Sequence, residues 1–213
     1  MDIYQTEDEQ VEALKKWWKE NGNSAIFGVV LGLGAIFGWR EWQDYQLEQA
    51  ASASTLYQQM VAAARDENGS DIDKFANDIR ANYDNTAYAV FARLAQAKQA
   101  VENNELDTAM EDLRWAFDNT DEQGLRHIIK LRMARVLMAQ SKIEEARKLV
   151  SSGEHGKFSV AYLELKADLL RKESKISDAR EAYMEAIKVA QAENQDTAIL
   201  DMKLDDLGRE QAK

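Results

Sequence analysis

Two histidines, His127 and His155, are the side chains of this 213-residue chain whose ordinary pKa suits proton transfer near neutrality. Neither has a second histidine at metal-ligand spacing, and the chain has no cysteine, so a zinc site would need carboxylates from distant segments. A histidine borne on a helix, as His127 is, reads as a surface or packing residue. Ser151 and Ser152 sit in a loop with no base that the sequence pairs to them. The glycines at 28, 32, 34 and 38 lie in an apolar run with no following Lys-Ser/Thr, so they make no phosphate loop. Carboxylate runs such as Glu144-Glu145 read as solvated helix faces. The expectation is a protein without catalytic residues, metal, cofactor or small-molecule substrate.

Composition narrows the class further. Lys and Arg number 27 against 38 Asp and Glu, a net charge of −11. Nucleic-acid binding needs the opposite balance, because Lys and Arg must displace counterions from phosphates. A hydrophobic fraction of 45% is enough for a packed core. There is no proline, where average usage of roughly 5% would supply about ten. Proline breaks helix interiors, so its absence fits long helices. Absent cysteine leaves the redox compartment open.

The elements that must position any site begin with an anchor. Residues 21–39 carry no charge, and 25–39 are apolar apart from glycine. A bilayer core of about 30 Å needs about 20 helical residues. Trp17 and Trp18 before the run, with Trp39 and Trp42 after it, stand where the aromatic belts of a spanning helix stand. A cleaved signal peptide would have a short basic start and a small-x-small cleavage site. Here Glu7, Asp8, Glu9, Glu12 and Glu20 precede the run, and bulky Phe37, Trp39 and Arg40 end it, so an uncleaved anchor is expected. Lys15, Lys16 and Lys19 lie on the N-terminal side; beyond Arg40 no Lys or Arg occurs until Arg65. Positive charge stays in the cytoplasm, which puts the short N-terminus inside and the rest across the membrane, in the periplasm of a Gram-negative bacterium. The pairs Gly28/Gly32 and Gly34/Gly38 have the spacing that lets helices approach closely in lipid. The division reads as 1–20 cytoplasmic, 21–42 anchor in the inner membrane and 43–213 periplasmic.

Beyond the anchor, apolar residues recur at three and four, and short polar loops at 66–70 and 118–121 punctuate them. Three stretches align: Asn104 to Ala109, Lys142 to Arg147 and Lys175 to Arg180. Leu106, Ile143 and Ile176 stand 37 and 33 residues apart, and Ala109, Ala146 and Ala179 keep that spacing. Ala97, Ala134 and Ala167 precede each alanine by twelve residues, and Ala116, Gly153 and Ala186 follow by seven, with Leu113, Val150 and Tyr183 between. Small residues at such offsets are what two closely crossing helices need. A fainter copy has Ala64 and Ala76 at the matching offsets, with Asp73 where the aliphatic turn residue would be.

This pattern resembles the tetratricopeptide repeat, a helix–turn–helix unit of 34 residues. The fold expected is all-α: one N-terminal transmembrane helix, then a tetratricopeptide-like solenoid with its clearest repeats at 90–123, 127–160 and 160–193. The amphipathic stretch 197–207, with Leu200, Leu204 and Leu207 on one face, suits a capping helix. In such arrays the first helix of each pair lines the concave face, which makes Phe91, Leu94, Lys98, Ile128, Leu131, Arg135 and Met138 candidate partner-binding residues, some of the apolar ones being buried between helices.

Val11-Glu12-Ala13, Glu20-Asn21-Gly22, the run Gly28 to Ala35, Gly38-Trp39-Arg40, Asn103 to Leu106 and Leu131 to Val136 are similar to the ancillary SecYEG translocon subunits of Gram-negative bacteria, the YfgM type. The likeness runs along the whole chain and is densest around the anchor. It implies an inner-membrane protein with a periplasmic C-terminal domain. It also implies association with a SecYEG-type translocon and with a membrane-bound periplasmic chaperone of the prolyl-isomerase class. The resemblance brings no catalytic residues. A second reading is a signalling regulator acting through its cytoplasmic N-terminus, where Thr6 and Glu9 form a capping box and Val11, Leu14 and Trp18 a helical stripe.

Overall fold

A chain without proline, rich in Ala, Leu, Glu, Gln and Lys, has little to interrupt a helix except its turns. The computed structural model describes residues 7–211, and among them it contains helices and no strand. The order is α1 (Glu7–Arg65), α2 (Gly69–Asn82), α3 (Ala87–Glu102), α4 (Leu106–Asp118), α5 (Gln123–Ala139), α6 (Ile143–Ser151), a 3-10 turn (Gly156–Phe158), α7 (Ser159–Lys172), α8 (Ile176–Ala192) and α9 (Ala198–Gln211). The chain divides into two compact units, Met1–Ala51 and Ser52–Lys213.

In the first unit the apolar run lies within α1 and is long and apolar enough to cross a membrane. Its large side chains are uncovered: Phe27, Leu31 and Phe37 are all well exposed. Bare apolar side chains on one continuous helix suit lipid, because every backbone group bonds within the helix. The Trp39 and Trp42 rings lie 5.1 Å apart. A Cβ built on Gly28, Gly32, Gly34 or Gly38 meets nothing within 4 Å, so this chain makes no steric demand for those glycines. Val11, Leu14 and Trp18 are exposed on α1, and the Thr6 end of the capping box lies outside the described residues.

In the second unit the chain closes each helix pair with the same turn. Glu67, Asn104, Ser141 and Ser174 all take the left-handed conformation, with φ of 53°, 62°, 61° and 62°. The next residue's N–H reaches back five residues in each case: Asn68 to Ala63 O (2.9 Å), Glu105 to Ala100 O (2.7 Å), Lys142 to Leu137 O (2.8 Å) and Lys175 to Leu170 O (2.9 Å). These bonds satisfy carbonyls that a helix end leaves orphaned. The following helix starts one residue on, at Gly69, Leu106, Ile143 or Ile176.

The paired helices cross on small residues. Ala109, Ala134, Ala146, Ala167 and Ala179 are fully buried and Ala97 nearly so. Leu113, Val150 and Tyr183 fill the space between them. Leu106 and Ile143 pack against one cluster of buried residues, and Ile176 against the next. Each helix pair packs on its neighbours along the chain, as in a solenoid. Leu200 and Leu207 of α9 are buried with Ala182, Tyr183 and Ala186 of α8, and Leu204 packs against the same cluster.

The structure corrects two positions. Ala64 is exposed, not at a helix crossing. Aligned on the left-handed turn at Glu67, Met60 takes the place of Ala97, Ala134 and Ala167, and Ala76 falls where Leu113, Val150 and Tyr183 stand. The first pair has a neighbouring pair on one side only and tolerates a larger residue, so matching alanine to alanine slips the register by four residues. Gly153, too, is no crossing residue. The nine-residue α6 ends at Ser151, and Gly153 stands exposed beyond it at φ 88°, a backbone conformation that favours glycine.

This register predicts a stability difference. Ala134→Leu forces extra volume into a close crossing, which typically costs 1–3 kcal/mol, and should lower the melting temperature of the full-length protein by about 2–8 °C. Ala64→Leu, at an exposed helix position, should leave it within about 1 °C. Equal melting of the two variants would sink the register derived from the turns.

Candidate partner-binding groove

Three connecting turns converge at the N-terminal ends of α3, α5 and α7. They enclose an open cleft of about 760 Å³, a size typical of ligand sites. Its apolar lining comes from the first turns of those helices: Val90 and Phe91 of α3, Leu125 and Ile128 of α5, and Phe158 from the 3-10 turn before α7. Phe91 is 37% and Ile128 39% exposed, so both present apolar surface to the cleft. Tyr57 from the last turns of α1 stands 5.7 Å from Phe91 and 5.5 Å from Tyr88, so the apolar surface continues past the cleft.

The polar lining is repeated. Asp84-Asn85-Thr86 precedes α3 and Asp118-Asn119-Thr120 precedes α5, the same tripeptide 34 residues on. Five of those six residues, all but Asp118, line the cleft together with Asp121 and Glu122. Glu122 caps α5 by accepting from the N–H groups of Gly124 (2.9 Å) and Leu125. A Cβ at position 124 would lie 2.9 Å from the Glu122 carboxylate, so glycine suits that cap. Arg126 donates to the carbonyls of Phe117 (2.7 Å) and Thr120 (2.8 Å) and lies over the Phe117 ring, which holds the turn in place. Lys157 lies 5.5 Å from the Phe158 ring.

Of the residues proposed from sequence for the groove, Phe91 and Ile128 line this cleft. Leu94 and Leu131 are buried in the helix-to-helix core, and Met138 is half-buried against it. Lys98 is exposed with its ammonium 3.4 Å from Glu102, and Arg135 is exposed. The cleft opens at helix ends, so residues one and two turns further along α3 and α5 fall outside it.

Beside the cleft lies a cluster that sequence spacing did not reveal. His127 of α5 and His155 of the turn after α6 both pack on Tyr162 of α7. His155 stacks on that ring with centroids 3.8 Å apart, and His127 Nδ1 is 3.1 Å from Tyr162 Oη. His127 also stacks on Phe158, at 4.8 Å. Nε2 of His155 is buried with no hydrogen-bond partner among the described residues. Among the described residues no three His, Cys, Asp or Glu groups come together as a metal site. Burial pushes His155 below the usual histidine value; the nearby charges of His127 and Lys130 push it the same way, and backbone contacts at Val150 and Ser152 oppose. The folded state therefore prefers the neutral ring. Stability should be full above the unfolded value of about 6.5 and should fall as pH drops through it, until the folded group also takes its proton. Melting curves from pH 8 to 5 should show that decline, and His155→Phe, which keeps the stack, should flatten it. Parallel curves would remove His155 as the cause.

Comparison with known proteins agrees with this architecture. A family described as tetratricopeptide repeat-like domain matches residues 15–209. The Ancillary SecYEG translocon subunit of Escherichia coli strain K12 is 34% identical over 191 residues, 88% of this chain and 90% of that protein. The chain belongs to the ancillary SecYEG translocon subunit family. Proteins of the same name from Haemophilus influenzae (35% over 140 residues, 66% of this chain and 68% of the relative) and Aggregatibacter actinomycetemcomitans (28% over 180 residues, 84% and 88%) belong with it. No solved structure matches. The tetratricopeptide-like match begins at Lys15, ahead of the apolar run, so it covers that run as well as the solenoid.

Proposed function

We propose that this protein is a non-catalytic interaction module at the protein-translocation channel. It is held in the inner membrane by α1, with its N-terminus in the cytoplasm and its solenoid in the periplasm. There it associates with a SecYEG-type translocon and a membrane-bound periplasmic chaperone of the prolyl-isomerase class, assisting secreted and envelope proteins. The observation that carries this reading is the 34% identity, across 88% of the chain, to a protein named for its place at the translocon. The uncovered Phe91 and Ile128 in a preformed cleft support a docking role. Lys15, Lys16 and Lys19 against a lone Arg40 support the orientation.

Two contacts of different physics follow. In lipid, Gly28, Gly32, Gly34 and Gly38 let the anchor approach a partner helix. In the periplasm the cleft engages polypeptide. Tethering to one membrane raises the effective concentration, so each contact works even when weak.

Photocrosslinking groups at positions 91 and 128 in intact membranes should capture the translocon or the chaperone, while groups at exposed Lys188 should not. A reporter active only in the periplasm, fused after Lys213, should be active. Gly28→Leu with Gly32→Leu should reduce co-purification, because a Cβ at either position meets nothing in this chain and the added bulk reports on a partner. Absence of both proteins from the crosslinks, or a silent periplasmic reporter, would overturn the reading.

A further inference from the structure

We infer that the cleft selects a short partner segment carrying Lys or Arg beside a large apolar side chain. This rests on the reading of the cleft as a docking surface and adds the chemistry of what docks. The floor is apolar, with Phe91 and Ile128 each more than a third exposed, and it excludes an all-polar segment. The rim is acidic. Asp84 and Asp121 line the cleft, and neither carboxylate has a hydrogen bond or ion pair among the described residues. Glu122 adds negative charge, although its oxygens are engaged with the first N–H groups of α5. The cation in the lining is Lys157, which lies over the Phe158 ring. An apolar side chain entering between Phe91 and Ile128 thus brings its neighbours up to unmatched carboxylates, where an ammonium or guanidinium is attracted and a carboxylate repelled.

The carboxamides match a polypeptide. Asn119 uses its Nδ2 on the Trp115 carbonyl (2.8 Å), which leaves its Oδ1 as an acceptor, and the Asn85 carboxamide also lines the cleft. Acceptors along the wall suit the N–H groups of an extended main chain. Such a segment gains the apolar contact from burial and its selectivity from the rim. Exposed charge pairs contribute little each and are screened within about 8 Å at physiological salt, so the preference is a difference in affinity that salt erodes.

The test uses the full chain in phosphatidylcholine nanodiscs, with empty nanodiscs subtracted. Three labelled peptides of one length share a Leu-Phe centre flanked by Lys, Ser or Glu. Fluorescence anisotropy at low salt should rank them Lys, Ser, Glu, with Lys roughly tenfold tighter than Glu, and the gap should close at high salt. Asp84→Asn with Asp121→Asn should weaken the Lys peptide roughly fivefold and leave the Ser peptide unchanged. Both positions are exposed, so circular dichroism should report an intact fold. Phe91→Ala should weaken all three. Equal binding of the Lys and Glu peptides overturns the charge selection and leaves the docking surface standing. Binding of none of them overturns both. A chain that is dimeric by light scattering, and binds peptides only when diluted to monomer, assigns the cleft to a second copy and also overturns the inference.

Discussion

Asp112→Ala should destabilise the solenoid by about 3 kcal/mol, a fall in melting temperature of roughly 10 °C. Asp112 sits on α4 and is 4% exposed, the buried charged residue among the described side chains. Arg93 of α3 donates to it at 2.5 Å and lies over the Trp115 ring at 4.9 Å. Arg80 of α2 stands near enough that burial first, and then the charge of Arg93, lowers its pKa while Asp112 raises it. Asp112 thus pairs with Arg93, and its charge also reaches Arg80, whose guanidinium donates to Gln96 Oε1 at 2.8 Å. Without it, two partly buried cations repel, and Arg93 Nε already lacks an acceptor. Removing one partner of a buried pair costs more than the pair contributes, because the other charge is left uncompensated. The pair replaced together by Asp112→Leu and Arg93→Met should recover most of the loss. A single substitution costing under about 1 kcal/mol would show that Arg93 reaches solvent unaided.

Tyr183→Ala should cost about 3–5 kcal/mol and should loosen α9 first. Tyr183 of α8 is fully buried, and its hydroxyl donates to Asp168 of α7 at 2.5 Å. Burial raises the phenol far above its usual range, the Asp168 hydrogen bond adds to this, and the group stays a neutral donor. Lys203 of α9 closes the arrangement, with Nζ 2.7 Å from Glu164 and 2.7 Å from Asp168. Truncation opens a cavity where α7, α8 and α9 meet and removes one of the groups that position Asp168 for Lys203. Hydrogen exchange should therefore quicken in α9 before it does in α3 and α4. Tyr183→Phe keeps the ring and should cost only about 1 kcal/mol, since Lys203 still serves Asp168. Uniform loosening of every helix would contradict this order.

Several features were legible because they depend on local periodicity. An uncharged run flanked by tryptophans and charges is one, and alanines recurring at helix crossings are another. The translocon-family likeness was legible too, since it rests on identical stretches of residues. The first helix pair was misplaced by four residues. Its turn is carried by Glu67, a residue type that announces no left-handed conformation. Gly153 matched by spacing but serves a loop, because α6 stops early.

Acidic residues on an amphipathic helix read as solvated, and for Glu144 and Glu145 the structure agrees. Asp112 is the exception, buried because α3 presents Arg93 to it. Nothing in the spacing of His127 and His155 joins them. They meet because α5 packs on α7 as well as on α6. The cleft likewise forms where the turns before α3, α5 and α7 come together. By itself the sequence determined the anchor, the helices, the repeat period and the small residues at the crossings, since each follows from neighbours three, four or about 34 positions away. Only the tertiary structure decided which charge is buried, where the aromatic cluster forms and which end of the array is open. Those depend on the angle between helices far apart in the chain, and that angle is set by the packing of many side chains at once.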